Sequence, residues 1–221
     1  EAAQIKLTVQ ESKKISTVQK HDTALLKAYR LGTYQMKQLT PEGFEKGIKY
    51  FNDAMAIDPL DPLPYIGLAR GYSDSEHGAG LGTDAPNRGR DYALKAIELD
   101  STIADAYAIL GHWNLYKAWN FDEGERYLRR AIELNPNDAF AHCHLGWFYC
   151  SSLIPGTRYS RMYNVDQAVS EMKKAVEISP TESTYQGYLA WLNLFIGHFD
   201  DAVEEARRKQ APLHPDLRGR P

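Results

Sequence analysis

Cysteine is nearly absent from the 221 residues, with only Cys143 and Cys150 present. Seven positions apart on what reads as one helix, they lie about 10 Å from each other, too far for a disulfide. The chain therefore needs no oxidising compartment, and both read as reduced core or groove thiols. No apolar run approaches the ~18 residues that a membrane span requires. The opening stretch, EAAQIKLTVQESKK, lacks the apolar core of a secretory signal. Charge of one sign is missing too. With 26 Lys+Arg against 29 Asp+Glu the net charge is −3, and no basic field exists to hold a phosphate backbone. No initiator Met is present, so the sequence reads as a piece of something longer. With 43% apolar and 25% charged residues, what is left is one ordinary domain or a short array. Aromatic residues are the plentiful class, at 14 Tyr, 7 Phe and 4 Trp, and they need an assignment.

Internal repetition supplies most of it. Four segments align: GIKYFNDAMAIDP (47–59), GRDYALKAIELDS (89–101), GERYLRRAIELNP (124–136) and AVSEMKKAVEISP (168–180). Each runs small residue, larger residue four later, Ala three after that, then a stop of Asp, Asn or Ser. Those offsets mark one helix face, with Ala54, Ala96, Ala131 and Ala175 where neighbouring helices approach closest. Each is preceded by a second pattern: YIGLARGY (65–72), YAILGHWN (107–114), HCHLGWFY (142–149) and QGYLAWLN (186–193), with AYRLGTYQ (28–35) a weaker fifth copy. A Leu followed by Gly or Ala lets two helices cross closely, and the flanking rings fill the space between pairs.

These residues resemble the tetratricopeptide repeat (TPR) family, whose helix–turn–helix unit has this Leu-Gly, aromatic, Ala and Pro signature. The resemblance implies an all-α, right-handed solenoid of about five units over residues 21–212, with 1–20 as a helix-forming linker from an upstream domain and 213–221 as a frayed tail. The phrases LTVQESKK, TPEGFEKGIKYFNDAMAIDP and LRRAIELNPNDAFAH are similar to the TPR tails of bacterial multidomain signalling proteins. In that group a winged-helix, nucleotide-cyclase or kinase effector domain lies upstream. The cytoplasm is the implied compartment, or the periplasm where the parent carries an upstream membrane span.

Boundary signals agree with helices throughout. Thr40-Pro41 and Asp61-Pro62 place an N-cap before an N1 proline, and Asn164 with Gln167 makes a capping box. Thr8-Val9-Gln10-Glu11 predicts a helix over 9–19. The last helix, DDAVEEARRKQ (200–210), is apolar on one face only, as the end of a stack should be. Helix stops at Asp58, Asp100, Asn135, Ser179 and His214 are spaced 42, 35, 44 and 35. Two units thus carry about nine extra residues, within 75–87 and 151–164, and both insertions emerge at one rim. They read as tolerated loop variation or as a decorated binding rim, with Arg158, Tyr159, Arg161 and Tyr163 as its candidate contacts.

No catalytic signature is found, and no residue is assigned a catalytic, cofactor or metal role. The Gly78–Gly82 run lacks the Lys of a phosphate loop. His142 and His144 project about 200° apart around a helix and cannot share an ion, and His142 occupies the aromatic slot of Tyr65 and Tyr107. A site of His112, Cys143 and Cys150 across two units is conceivable, but zinc geometry is demanding and none is assigned.

The remaining chemistry lies in the groove that the first helices of TPR units line. Carried over, its positions are Leu26, Tyr29, Thr33 and Met36; Leu63, Ile66, Arg70 and Ser73; Asp105, Ala108, His112 and Leu115; Phe140, Cys143, Trp147 and Cys150; Thr184, Gly187, Trp191 and Leu194. His112, Trp147 and Trp191 are equivalent in consecutive units and should form a row, either an exposed ladder that recognises a partner or rings buried between units. Only Arg70 is basic and no Asn stands in the set, unlike the TPR modules that hold a C-terminal carboxylate. The reading is a non-catalytic scaffold that binds a protein or peptide segment through Arg70, Asp74, His112, Tyr116, Trp147 and Trp191. Another domain of the same polypeptide is among the candidate partners. Two alternatives stand beside it: a self-association or domain-docking element, and a small-molecule sensor with an apolar pocket.

Overall fold

The computed structural model describes residues 21–74, 85–151 and 164–198, together with 200, 201 and 204. Among these residues the regular structure is α-helical: α1 (Thr23–Met36), α2 (Pro41–Ile57), α3 (Leu63–Asp74), α4 (Ala85–Leu99), α5 (Ala104–Tyr116), α6 (Phe121–Leu134), α7 (Ala139–Ser151), α8 (Val165–Ile178) and α9 (Ser183–Phe195). The expected helix over 9–19, the bulk of both long connections and the tail lie outside the described residues.

Starts are set by side-chain caps on otherwise orphaned N–H groups. Asp22 accepts from Ala24 and Leu25, Thr40 from Gly43 ahead of Pro41, Asn120 from Glu123 and Asn164 from Gln167. The Asp61 carboxylate accepts the Leu63 N–H at 2.9 Å at the entry to α3. Stops repeat as well. The N–H groups of Asp58, Asp100, Asn135 and Ser179 donate to the carbonyls of Ala54, Ala96, Ala131 and Ala175, so each stop residue closes the turn begun by its repeat alanine.

Helices pair as α1–α2, α3–α4, α5–α6 and α7–α8, and α9 packs on α8. The first helices also touch one another, α1 against α3, α3 against α5 and α5 against α7, and so form a continuous inner wall. The repeat positions make the joints. In α4 the buried set includes Gly89, Ala93 and Ala96, in α6 it is Gly124, Leu128 and Ala131, and in α8 Ala168, Met172 and Ala175. All four repeat alanines have no solvent exposure. The slot of Tyr65 and Tyr107 is one hydrogen bond used four times. Tyr65, Tyr107, His142 and Gln186 donate to the carbonyl six residues earlier, those of Pro59, Ser101, Pro136 and Pro180. Each bond ties the start of a first helix to the turn that precedes it.

Glycine is required where paired helices cross. A Cβ on Gly146 would lie 2.6 Å from Cγ of Met172 and 3.0 Å from the carbonyl oxygen of Ala168, so α7 and α8 would have to part. Gly146→Ala should lower stability by roughly 1–2 kcal/mol, toward the low end of overpacking costs because the Met172 chain can shift while the carbonyl cannot. Urea denaturation of the two proteins checks this, and an unchanged midpoint would contradict the packing described.

Candidate functional site

The inner wall has two chemically different regions. At its middle stands Arg70 of α3. Its Nη2 donates to Oδ1 of Asp105 on α5 at 2.7 Å, and its guanidinium carbon lies 4.2 Å from the ring centroid of Phe140 on α7. One side chain thus bridges three units, which a long, planar cation can do and a lysine would do poorly. Asp138, at the start of α7, accepts the Ala141 N–H at 3.0 Å. Burial holds its carboxyl above the usual carboxylate range.

The C-terminal region is aromatic. Trp147 of α7 and Trp191 of α9 meet at 4.8 Å between ring centroids with a 40° tilt. Tyr188 stands edge-on to Trp147 at 5.5 Å, and Phe195 stacks on Trp191 at 5.2 Å. Trp191 is 45% exposed. Trp147, Thr184, Gly187, Tyr188 and Trp191 enclose an open hollow of about 450 Å³. Unit five has Gly187 where the earlier units have Tyr29, Ile66, Ala108 and Cys143, the last three of them buried. Burial raises the Tyr188 phenol, so it stays a hydroxyl at neutral pH.

The structure divides the sequence-predicted residues. Arg70 reaches the wall, and the two indoles are side by side as their equivalence implies. His112 takes the second of the two alternatives, being only 8% exposed and lying in the layer between units. There its Nδ1 is 3.3 Å from Oγ of Ser73, and its ring is 4.6 Å from His144 and 5.6 Å from Phe140. Tyr116 goes with it, 4.8 Å from His112. Burial pushes its phenol far up, so the hydroxyl remains a donor toward Nδ1 of His144 at 3.3 Å. His112 is held there by Ser73, Phe140 and His144 of the neighbouring units, and Trp147 is itself partly buried. His112 and Tyr116 therefore support the wall from behind. Asp74 ends α3, and its side chain lies outside the described residues, as do Arg158, Tyr159, Arg161 and Tyr163.

Tyr188 and Phe195 belong to the site and are absent from the sequence-predicted set. A signal for them exists, since they stand three before and four after Trp191, on the same helix side. His142 and His144 do diverge, His142 to Glu171 on α8 and His144 to Tyr116 on α5. Among the described residues no three His, Cys, Asp or Glu are grouped to hold a metal. Burial pushes the Cys143 thiol up to about 12 and that of Cys150 to about 11, so both are thiols rather than thiolates at neutral pH.

No protein-family model matches the chain, and no curated protein does either. Solved structures do match. TTC0263, a thermophilic TPR protein of Thermus thermophilus, is similar with a TM-score of 0.63 and 22% identity over 88% of this chain and 95% of its own. The chain has the TPR fold. PilW, described as a widely conserved type IV pilus biogenesis factor, matches with a TM-score of 0.60 and 15% identity, over 86% of this chain and 77% of PilW. MamA matches with a TM-score of 0.50 and 24% identity, over 84% of this chain and 90% of MamA. In this TPR array the hollow between Trp147 and Trp191 lies on the wall formed by the first helices. No helix among the described residues is long and apolar enough to cross a membrane.

Proposed function

We propose that this chain is a non-catalytic TPR scaffold that holds a segment of a partner protein on its inner wall, as the interaction or sensory part of a bacterial signalling protein acting in the cytoplasm. The observation that carries the reading is the exposed Trp191 lying against the partly buried Trp147 over the Gly187 hollow. Apolar rings left half in water lose burial free energy, and clustered aromatic groups beside a cavity are the anchors on which binding energy concentrates. Arg70 and Asp105 supply the polar contacts further along the wall.

The double variant Trp147→Ala/Trp191→Ala tests it. Proteins captured reproducibly by the wild-type chain should be lost from the variant while circular dichroism shows the helices intact. Unchanged capture by a folded double variant would sink the groove assignment.

A second reading, self-association or docking to another domain, rests on Leu194. It is 54% exposed, whereas its counterparts Ser73, Leu115 and Cys150 are buried. Light scattering across a concentration series separates the two, because a strict monomer that captures a partner fits the first.

A further inference from the structure

We propose a second binding site, apart from the Trp147–Trp191 hollow, that takes an acidic segment of a partner protein in a cleft lined by α4, α5 and α6. The cleft measures about 340 Å³. Arg90 and Leu94 of α4 face it, with Trp113 and Asn114 of α5 and Glu123 and Arg126 of α6. Each arginine lies over a ring, Arg90 at 4.8 Å from the Trp113 centroid and Arg126 at 4.6 Å from that of Tyr127. Each also holds a single carboxylate oxygen. Nε and Nη2 of Arg90 donate to Oδ1 of Asp91, and Nε and Nη2 of Arg126 donate to Oε2 of Glu123. Ring and carboxylate together orient both guanidinium groups, and neither Nη1 donates to any of the described residues. A guanidinium has five N–H groups, so each arginine keeps donors for a further anion.

The other groups in the cleft say what kind of anion fits. Two arginines line it against one carboxylate, Glu123. The chain as a whole carries −3, so any attraction for acid here is local rather than general. The two ion pairs already present are solvated surface pairs worth little in water, so an incoming carboxylate can share or replace them. Asn114, only 8% exposed, adds an acceptor. Its Nδ2 donates to the Leu110 carbonyl at 2.8 Å, which fixes the orientation of the amide because a carbonyl cannot donate. Its Oδ1 then accepts from none of the described residues. A bare oxyanion has little to offer that oxygen, whereas a peptide brings backbone N–H groups along with its carboxylates. Leu94 is 42% exposed beside these groups and would lose that exposure under an apolar residue of the same segment. Donors for carboxylates, an acceptor for an amide and an apolar surface together match a peptide with an apolar residue between acidic ones.

The test follows the anisotropy of a dye-labelled, blocked peptide carrying two glutamates around a leucine as the full chain is added, beside the same peptide with glutamine at both positions. The acidic peptide should bind saturably, and the glutamine peptide about tenfold or more weaker. Arg90→Gln/Arg126→Gln should weaken the acidic peptide by a similar factor with circular dichroism unchanged. Lys95→Gln/Arg130→Gln is the control and should bind as the wild type does. It removes the same charge from the same two helices, and those cations also pair with carboxylates, Glu98 and Glu133, but do not line the cleft. Trp147→Ala/Trp191→Ala should also leave the binding unchanged, so this site stands or falls separately from the inner-wall reading. A loss in that variant would move the peptide to the inner wall and overturn the proposal. No saturable binding, equal binding of the glutamine peptide, or equal losses in the two charge variants overturns it as well. So does displacement of the peptide by inorganic phosphate at concentrations where acetate has no effect, which would make the cleft a phosphate site.

Discussion

Phe51→Ala is expected to cost about 3–5 kcal/mol, the upper range for a large-to-small core change. The Phe51 ring is fully buried among Met36, Phe44, Leu68 and Tyr72, with Tyr29 at 5.8 Å between centroids. It passes from α2 into a slot made by two glycines on the neighbouring first helices. A Cβ on Gly32 would lie 2.9 Å from the ring and one on Gly67 only 2.2 Å. Removing the ring leaves a cavity that cannot collapse readily, because glycine has no side chain to turn inward. In a solenoid each unit leans on its neighbours, so the loss should appear first as local opening at the N-terminal end. Hydrogen exchange should quicken in α1–α3 and hardly change in α7–α9, with a separate early transition in urea. A uniform midpoint shift worth under about 1 kcal/mol would show that Phe51 is not the joint described. Phe51→Leu, which retains most of the volume, should fall between the two proteins.

The same residue shows why the fold was legible. Phe51 stands where Ala93, Leu128 and Met172 stand in the other units, and all four are buried. A periodic small–large–Ala face specifies which residues meet between paired helices, and the stop residues specify where each helix ends. Neither depends on anything beyond one repeat. The site was less legible because it depends on how tightly successive units close up. Equivalence put Trp147 beside Trp191, but it left open whether His112 is exposed or buried between units, and that is decided by its contacts with Ser73, Phe140 and His144 on the neighbouring helices. Arg70 reaching Phe140 is a contact between units two apart, and repeat alignment does not encode that reach. The sequence carries a signal for the hollow that its reading did not use, Gly187 where four other units have a side chain, Tyr29, Ile66, Ala108 and Cys143.

The second large effect concerns His142 and Glu171, and its sign follows from the partners. Nδ1 of His142 lies 2.5 Å from the Glu171 carboxylate and Nε2 lies 3.0 Å from the Pro136 carbonyl, so both ring nitrogens face acceptors. A neutral imidazole has one N–H and would leave one of these contacts without a proton, whereas imidazolium satisfies both. Burial by itself would depress the His142 pKa, but the hydrogen bonds to Glu171 and Pro136, with the carboxylate's charge, outweigh it and hold it above the ordinary 6.5. The His142 hydrogen bond, against some desolvation, holds Glu171 below its ordinary 4.5. With the histidine raised, its contribution is complete below 6.5 and is lost as pH rises through the folded value. With the glutamate lowered, its contribution is complete above 4.5 and is lost as pH falls through its folded value. The clamp between α7 and α8 is therefore strongest in mildly acidic solution, and urea midpoints should decline as pH rises above 6.5. Glu171→Gln should cost about 1.5–3 kcal/mol at the optimum, the range for a hydrogen bond to a charged group. His142→Tyr is the sharper variant. Tyr65 and Tyr107 show that a phenol in this slot bonds the carbonyl six residues back, so the fold should survive while the decline above 6.5 disappears. A wild-type profile that is flat through that range, or a decline that persists in His142→Tyr, would show that the imidazolium is not what joins the two helices.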